Sequence, residues 1–269
     1  LKNLGNVYKS LGQYERAIDF YQQSLPIYRE IKNPQGQADV LNNLDSTYHN
    51  LGQHKRRIDV LKQSLPIKQE LKDGKGEAEV LKNLGNVYKS LGQYERAINF
   101  YEQSLPIYRE MKNPQGEADV LSNLGYAYFY LRQYERVINF FQHSLPILRE
   151  LKDRKGEAKV LNHLGSAYYS LGQYERAINF FQHSLPIYQE LKDREGEAIT
   201  LNNLGAAYNS LGQYKRAINF FQQSLPIFQK LKDRKWEANV LNGLGEAYYN
   251  LGQYERAINF YQQSLPIYQ

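Results

Sequence analysis

One stretch of forty residues, LKNLGNVYKSLGQYERAINFYEQSLPIYREMKNPQGEADV at positions 81–120, recurs in phase from one end of the chain to the other. Its copies begin at Leu1, Leu41, Leu81, Leu121, Leu161, Leu201 and Leu241, the last of them partial, with nothing inserted between them. At a fixed period of this size, each block is one supersecondary unit that cannot bury its apolar face alone and must stack on its neighbours. Length alone would suggest one or two globular domains. The repeat predicts instead a single array over residues 1–269, with repeats 1–40, 41–80, 81–120, 121–160, 161–200, 201–240 and a partial 241–269.

Within a block the helix signals are explicit. Asn33-Pro34 reads as a helix start, because Asn caps free N–H groups and Pro suits the first helical position. Asp73, Asp153, Asp193 and Asp233 take the same capping place. Ala38, Leu41, Leu44 and Tyr48 then recur at helical spacing as one apolar stripe. This first helix, helix A, ends near Leu51-Gly52-Gln53, where Gly permits a left-handed residue. Helix B follows, with Tyr94, Ala97, Ile98, Tyr101, Ser104, Leu105 and Tyr108 on one face in block three and Phe100, Ile107 and Met111 on a second. A helix with two apolar faces needs two neighbours, its own helix A and the next one. The prediction is an all-α chain of antiparallel helix pairs in which small residues, Gly85 and Ala97, let the pair approach closely.

These positions resemble the tetratricopeptide repeat: Leu84-Gly85 and Tyr88 on helix A, Gly92 at the turn, then Tyr94, Ala97, Tyr101 and Ser104 on helix B. The resemblance covers the whole chain in seven in-phase copies. The usual family period is about 34 residues; the longer unit here is similar to that of Partner of Inscuteable-type adaptors, kinesin light chains and many multi-repeat bacterial proteins. The resemblance implies a right-handed superhelical solenoid with helix A lining the concave face. It also implies a protein–protein interaction scaffold that binds an extended peptide or partner protein in that groove.

Departures from the pattern carry their own expectations. Every block has a Pro inside helix B (Pro26, Pro66, Pro106, Pro146, Pro186, Pro226, Pro266). An interior Pro removes a backbone bond, at about 3 kcal/mol if unrelieved. A bend is expected at each, the alternative being a break into two short helices. Block two replaces the helix-A Gly by Asp45 and the helix-B Ala by Arg57, which predicts an Asp45–Arg57 ion pair across the A–B contact with little net gain. Trp236 stands where other blocks have Gly, partly exposed near a helix start, and reads as drift.

The third residue of each block runs Asn3, Asn43, Asn83, Asn123, His163, Asn203, Gly243. On helix A it lies opposite the core Tyr, so stacking would make a ladder of carboxamides, each a donor and an acceptor. Asparagines in matching places of the resembling adaptors bind peptide backbone. The resemblance therefore implies that role for Asn43, Asn83, Asn123 and Asn203; the bland reading is that they bond between adjacent A helices. Tyr126, Phe129 and Tyr130 add aromatic anchors of a kind that suits binding, and Tyr169 and Tyr249 extend the track. Lys82 and Lys89 join the candidate site, with Lys2 and Lys9 basic and Asp39, Glu79 and Asp119 acidic beside it. The family's clamp for a peptide C-terminus is only partly matched, by Lys2 with Asn6 and Lys82 with Asn86.

Other chemistries find no support. There is no cysteine, which excludes thiol catalysis and cysteine-based metal sites. Of the five histidines, His143 and His183 share a helix-B place one block apart, on the surface and too far from each other to share a metal, and no catalytic set occurs, so no cofactor and no enzyme activity are expected. No signal-type or membrane-spanning run occurs, and a cytoplasmic protein is the expectation. The net charge is +6, but the negative fifth block interrupts any basic stripe, so nucleic acid is not an expected partner. Two alternatives stand beside the scaffold: a regulatory sensor domain of a larger signalling protein, and an RNA-binding helical repeat. The first helix A and the last helix B carry apolar faces with no following repeat, which predicts end-to-end self-association.

Overall fold

The computed structural model describes residues 1–267. Among these residues every regular element is a helix, and within each of two units consecutive helices pack on one another. The contacts group into two compact units, Leu1–Leu131 and Arg132–Gln269. The first holds α1 (Lys2–Ser10), α2 (Tyr14–Glu30), α3 (Pro34–Asn50), α4 (His54–Glu70), α5 (Gly74–Ser90), α6 (Tyr94–Glu110) and α7 (Pro114–Tyr130). The second holds α8 (Tyr134–Glu150), α9 (Arg154–Ser170), α10 (Tyr174–Glu190), α11 (Arg194–Ser210), α12 (Tyr214–Leu231), α13 (Arg234–Asn250) and α14 (Tyr254–Ser264), then a 3₁₀ turn at Leu265–Ile267. Odd-numbered helices up to α13 are helix A of a repeat, and each is followed in the chain by its own helix B.

The predicted boundaries hold for physical reasons that can be read at each end. Asn33, Asp73, Asn113, Asp153, Asp193 and Asp233 each accept a hydrogen bond from the backbone N–H three residues on. That satisfies one of the donors a helix start leaves open. Between helices A and B, Gly52 and Gly92 adopt φ of +66° and +71°. In block four the same place is Arg132, at φ +59°. The joints from helix B to the next helix A use lysine instead: Lys32, Lys72, Lys112, Lys152, Lys192 and Lys232 all lie at positive φ.

The close A–B contact is a ring against a glycine. Tyr101 is fully buried, and a methyl on Gly85 would stand 2.5 Å from its ring. Tyr21 meets Gly5, Phe181 meets Gly165 and Phe221 meets Gly205 in the same way. Ala97 lies in the same core but is not the residue that Gly85 accommodates.

Helix B does not break at its proline. α2, α4, α6, α8, α10 and α12 run through Pro26, Pro66, Pro106, Pro146, Pro186 and Pro226, so the two-helix alternative is overturned for these six. Pro266 differs, lying in the 3₁₀ turn. The residue four back, whose carbonyl loses its helical donor, is exposed at each continuous helix, as at Gln22 and Glu102. Water can therefore take that bond.

Candidate functional site

The candidate residues lie on the A helices. In the first unit Asn43, Asn83 and Asn123 are each partly exposed at the same place of α3, α5 and α7. Their engagement differs. Asn43 Nδ2 donates to Asn6 Oδ1 of α1 at 3.2 Å. Asn123 Oδ1 accepts from Lys89 Nζ of α5 at 2.6 Å. Asn83 is partly exposed, with no bond from its carboxamide among the described residues. In the second unit Asn203 Nδ2 donates to Asn162 Oδ1 at 3.3 Å. His163 is not a plain surface residue: its Nδ1–H donates to the Lys159 carbonyl at 2.8 Å, its ring tilts against Phe141, and burial pushes its pKa down.

Neighbouring A helices also hold the charged residues of the face. Lys2 pairs with Asp39 at 2.9 Å and Lys82 with Asp119 at 3.3 Å. The Lys82 ammonium also stands 5.6 Å from the centre of the Tyr108 ring. Burial, aided by Glu79 and Asp119, pushes the Tyr108 hydroxyl up to about 12. Basic and acidic positions that the sequence offers separately are thus joined in pairs between adjacent A helices. Lys9 likewise donates to Ser46.

The aromatic cluster gathers at the C-terminal end of α7. Tyr126 lies under the Lys89 ammonium, 5.8 Å from its ring centre. Phe129 meets Tyr130 edge-on at 6.4 Å. Tyr130 stacks on Tyr94 of α6 with centroids 4.8 Å apart, yet keeps 63% of its surface exposed. Lys82, Lys89, Asn83, Asn123 and these three rings therefore belong to the α5–α7 neighbourhood, and Asn203 stands apart in the other unit. Tyr169 and Tyr249 instead face Tyr174 and Tyr254 of their own helix pairs.

Asn6 and Asn86, the partial clamp, are committed to the fold. Each accepts a bond from the hydroxyl of a buried tyrosine, Tyr21 or Tyr101, at 2.8 Å. Where that tyrosine is Phe141, Phe181 or Phe221, the matching place is Tyr126, Ser166 or Ala206. Asn stands at this place only in blocks with a Tyr to bond it, although Tyr261 of block seven faces Glu246 instead; that partial pairing is the signal in the sequence that would have marked these asparagines as structural. Block two holds the predicted pair: Arg57 Nε donates to Asp45 Oδ1 at 2.9 Å, both side chains are buried, and Arg57 also reaches His49 Nδ1 at 3.1 Å. Trp236 is partly buried and stacks on Phe228 at 5.5 Å, so it has a packing role that reading it as drift missed. Among the described residues no cluster of three or more His, Cys, Asp or Glu could hold a metal, and no helix is long and apolar enough to cross a membrane.

Stacked helix pairs, most of them closed by a ring against a glycine and joined by capped turns, define a helical-repeat protein. The chain belongs to the tetratricopeptide repeat family, whose model matches residues 1–70, 36–110, 116–190 and 196–269. No curated protein matches it. Among solved structures it is similar to the apo form of RapI, with a TM-score of 0.72 and 18% identity over 99% of this chain and 95% of that one. It is also similar to a Signal Transduction ATPase with Numerous Domains protein with a tetratricopeptide repeat sensor from Pyrococcus horikoshii, with a TM-score of 0.71 and 18% identity over 96% of this chain and 40% of that one. A Rap protein complexed with competence and sporulation factor gives 0.59 and 16% over 91% and 79%. At these identities the likeness is one of fold.

Proposed function

We propose that the chain is a protein-interaction scaffold that takes an extended peptide or partner protein across the A helices of its first unit. The observation that carries this reading is the α5–α7 neighbourhood. There an unengaged, partly exposed carboxamide, Asn83, lies in the same array as a broad exposed ring, Tyr130, and the charged pair Lys82–Asp119. A carboxamide can pair with a peptide bond without reading the side chain, and an aromatic anchor adds contact area at low entropic cost. Asn43, Asn123 and Asn203 would have to exchange a bond inside the array for one to the ligand, so Asn83 is the strongest contributor. One similar structure is a complex with competence and sporulation factor, which supports a ligand-binding reading of this fold.

The test is selection from a diverse peptide library, followed by titration of the enriched peptides against the chain and its Asn83→Ala, Asn123→Ala double variant. Loss of at least tenfold in affinity is expected, about 1.4 kcal/mol. Enriched peptides that bind both proteins equally would overturn the reading. A second reading, a regulatory domain of a larger protein, is favoured by the similarity to a structure whose repeats are described as a sensor. End-to-end association of copies belongs to the same proposal and rests on the exposed apolar faces of α1 and α14.

A further inference from the structure

The A helices of the first unit carry their charges unevenly. Toward their N-termini the charges balance: Lys2 pairs with Asp39, Lys82 pairs with Asp119, and Lys75 and Glu79 stand about one turn apart on α5. Toward their C-termini they do not. Residues 6–13, 46–53 and 86–93 hold Lys9, His49 and Lys89 and no Asp or Glu. The next acids along the chain after these stretches, Glu15, Asp59 and Glu95, belong to helix B. Arg57, which touches His49, is offset by Asp45.

Lys9, His49 and Lys89 occupy one place of α1, α3 and α5, two turns beyond Lys2, Asn42 and Lys82 on the same side of each helix. Their bonds tie them to the candidate face. Lys9 Nζ donates to Ser46 Oγ of α3, and Lys89 Nζ donates to Asn123 Oδ1 of α7 at 2.6 Å and lies over the Tyr126 ring. Both of these acceptors are neutral. His49 is exposed, and its Nδ1 accepts from Arg57 Nη1 at 3.1 Å, because a guanidinium only donates. That leaves the Nε2–H of His49 as the donor that meets an incoming group.

We infer that Lys9, His49 and Lys89 form a recognition row for an acidic, extended segment of the partner, with one carboxylate to each A helix. The inference rests on the scaffold reading above and names the chemistry of its partner. A bond between an ammonium and a carboxylate carries charge on both sides, so it is stronger than the bonds to a hydroxyl and a carboxamide that it replaces. A carboxylate on Lys89 also releases the Asn123 carboxamide to pair with the segment's backbone. Packed helices stand about 8–10 Å apart, which an extended chain covers in about three residues. Carboxylates at every third residue therefore meet successive helices. A nucleic-acid strand fits less well: its affinity grows with the number of phosphates neutralised, and here a short basic row lies beside Asp39, Glu79 and Asp119.

The test titrates three pools of labelled nine-residue peptides against the chain by fluorescence anisotropy. One pool carries Asp at positions 2, 5 and 8, one carries Asn there, and one carries Asp at positions 2, 3 and 4; the remaining positions are drawn from Ala, Ser, Leu and Tyr. At low salt the first pool should bind at least tenfold tighter than the Asn pool, with an advantage that shrinks as salt rises. Lys9→Gln and Lys89→Gln should each remove about three- to fivefold of it. Lys62→Gln, on the exposed side of α4 where other repeats have Gln, should leave it unchanged. Thermal melts followed by circular dichroism check that each variant is folded. An Asn pool that binds as tightly as the first, and still loses affinity in Asn83→Ala, overturns the acidic row and leaves the scaffold reading standing. Equal binding of the two Asp pools overturns the register of one carboxylate per helix. Tighter binding of a nine-nucleotide oligo(dT) than of the first pool assigns the row to nucleic acid and overturns the acidic peptide. No binding of any pool overturns both readings.

Discussion

Asp45 and Arg57 occupy places where the other repeats have glycine and either alanine or valine. The exchange extends to a third position. A side chain at 45 would strike an aromatic ring at 61, as Gly85 and Tyr101 show, and block two carries Leu61 there. Ser46 stands where a buried tyrosine hydroxyl would call for Asn. Four substitutions thus form one set, and splitting it exposes its energetics. Asp45→Gly leaves the Arg57 guanidinium buried without its carboxylate, and should cost about 3–5 kcal/mol. Converting the whole set (Asp45→Gly, Ser46→Asn, Arg57→Ala, Leu61→Tyr) should recover the loss to within about 1 kcal/mol or exceed the parent, because well-packed apolar replacements of buried pairs are often neutral or stabilising. Urea unfolding of the two variants decides it. A four-fold variant no more stable than Asp45→Gly would show that the set is not one unit. The ion pair itself was legible in the sequence, since the family pattern places those residues opposite each other. The room made by Leu61 was not, because the ring-on-glycine contact that demands it appears only when both helices are placed.

At the scale of helices and their joints, the repeat pattern made most of the architecture readable. Caps, turns and apolar stripes are local, and each was repeated often enough to separate signal from drift. The left-handed lysines at the B-to-A joints were missed for the opposite reason: Lys carries no propensity for positive φ, and the joint geometry imposes it. Asn43 and Asn123 take the adjacent-helix alternative; which positions do so, and the pairing of Lys82, were not legible because the partners stand on a neighbouring A helix 34 to 37 residues away. One joint gives a pH prediction. Lys68 stands where most repeats have an aromatic residue; it is buried, and its Nζ lies 2.7 Å from Asp73, the cap of α5. That ammonium, with the Gly76 N–H, holds the Asp73 carboxyl below the usual carboxylate range. A depressed folded pKa stabilises the protein above the unfolded value of about 3.9 and loses that contribution as pH falls through the folded value. Asp73→Asn keeps the cap, as Asn33 and Asn113 do, and removes the charge. Its deficit should be about 1–2 kcal/mol at pH 7, modest because Asp73 is about a third exposed. It should shrink as pH falls below about 4. An equal deficit at pH 7 and at acid pH, read from urea midpoints, would sink the linkage.

For the molecule as a whole, the governing fact is that every repeat junction is the same surface used again. Val87 of α5 is 0% exposed where it meets the preceding repeat, while its counterpart Val7 of α1 is 54% exposed. Ile218 of α12 is 8% exposed and its counterpart Ile258 of α14 is 55%. The two faces therefore match the two sides of an internal junction, and a contact between them is head-to-tail. Copies should associate in chains whose length grows with concentration, driven by apolar area removed from water. Val7→Lys and Ile258→Lys each place a charge on a side chain exposed in the single chain, so neither should disturb folding. Each variant alone should sediment as a monomer, since one of its two faces is blocked against its own kind. An equimolar mixture should stop at the dimer, because Ile258→Lys supplies only an intact α1 face and Val7→Lys only an intact α14 face. Sedimentation equilibrium separates the outcomes. A parent that stays monomeric at millimolar concentration, or variants that associate as the parent does, would show that the exposed faces do not recognise each other.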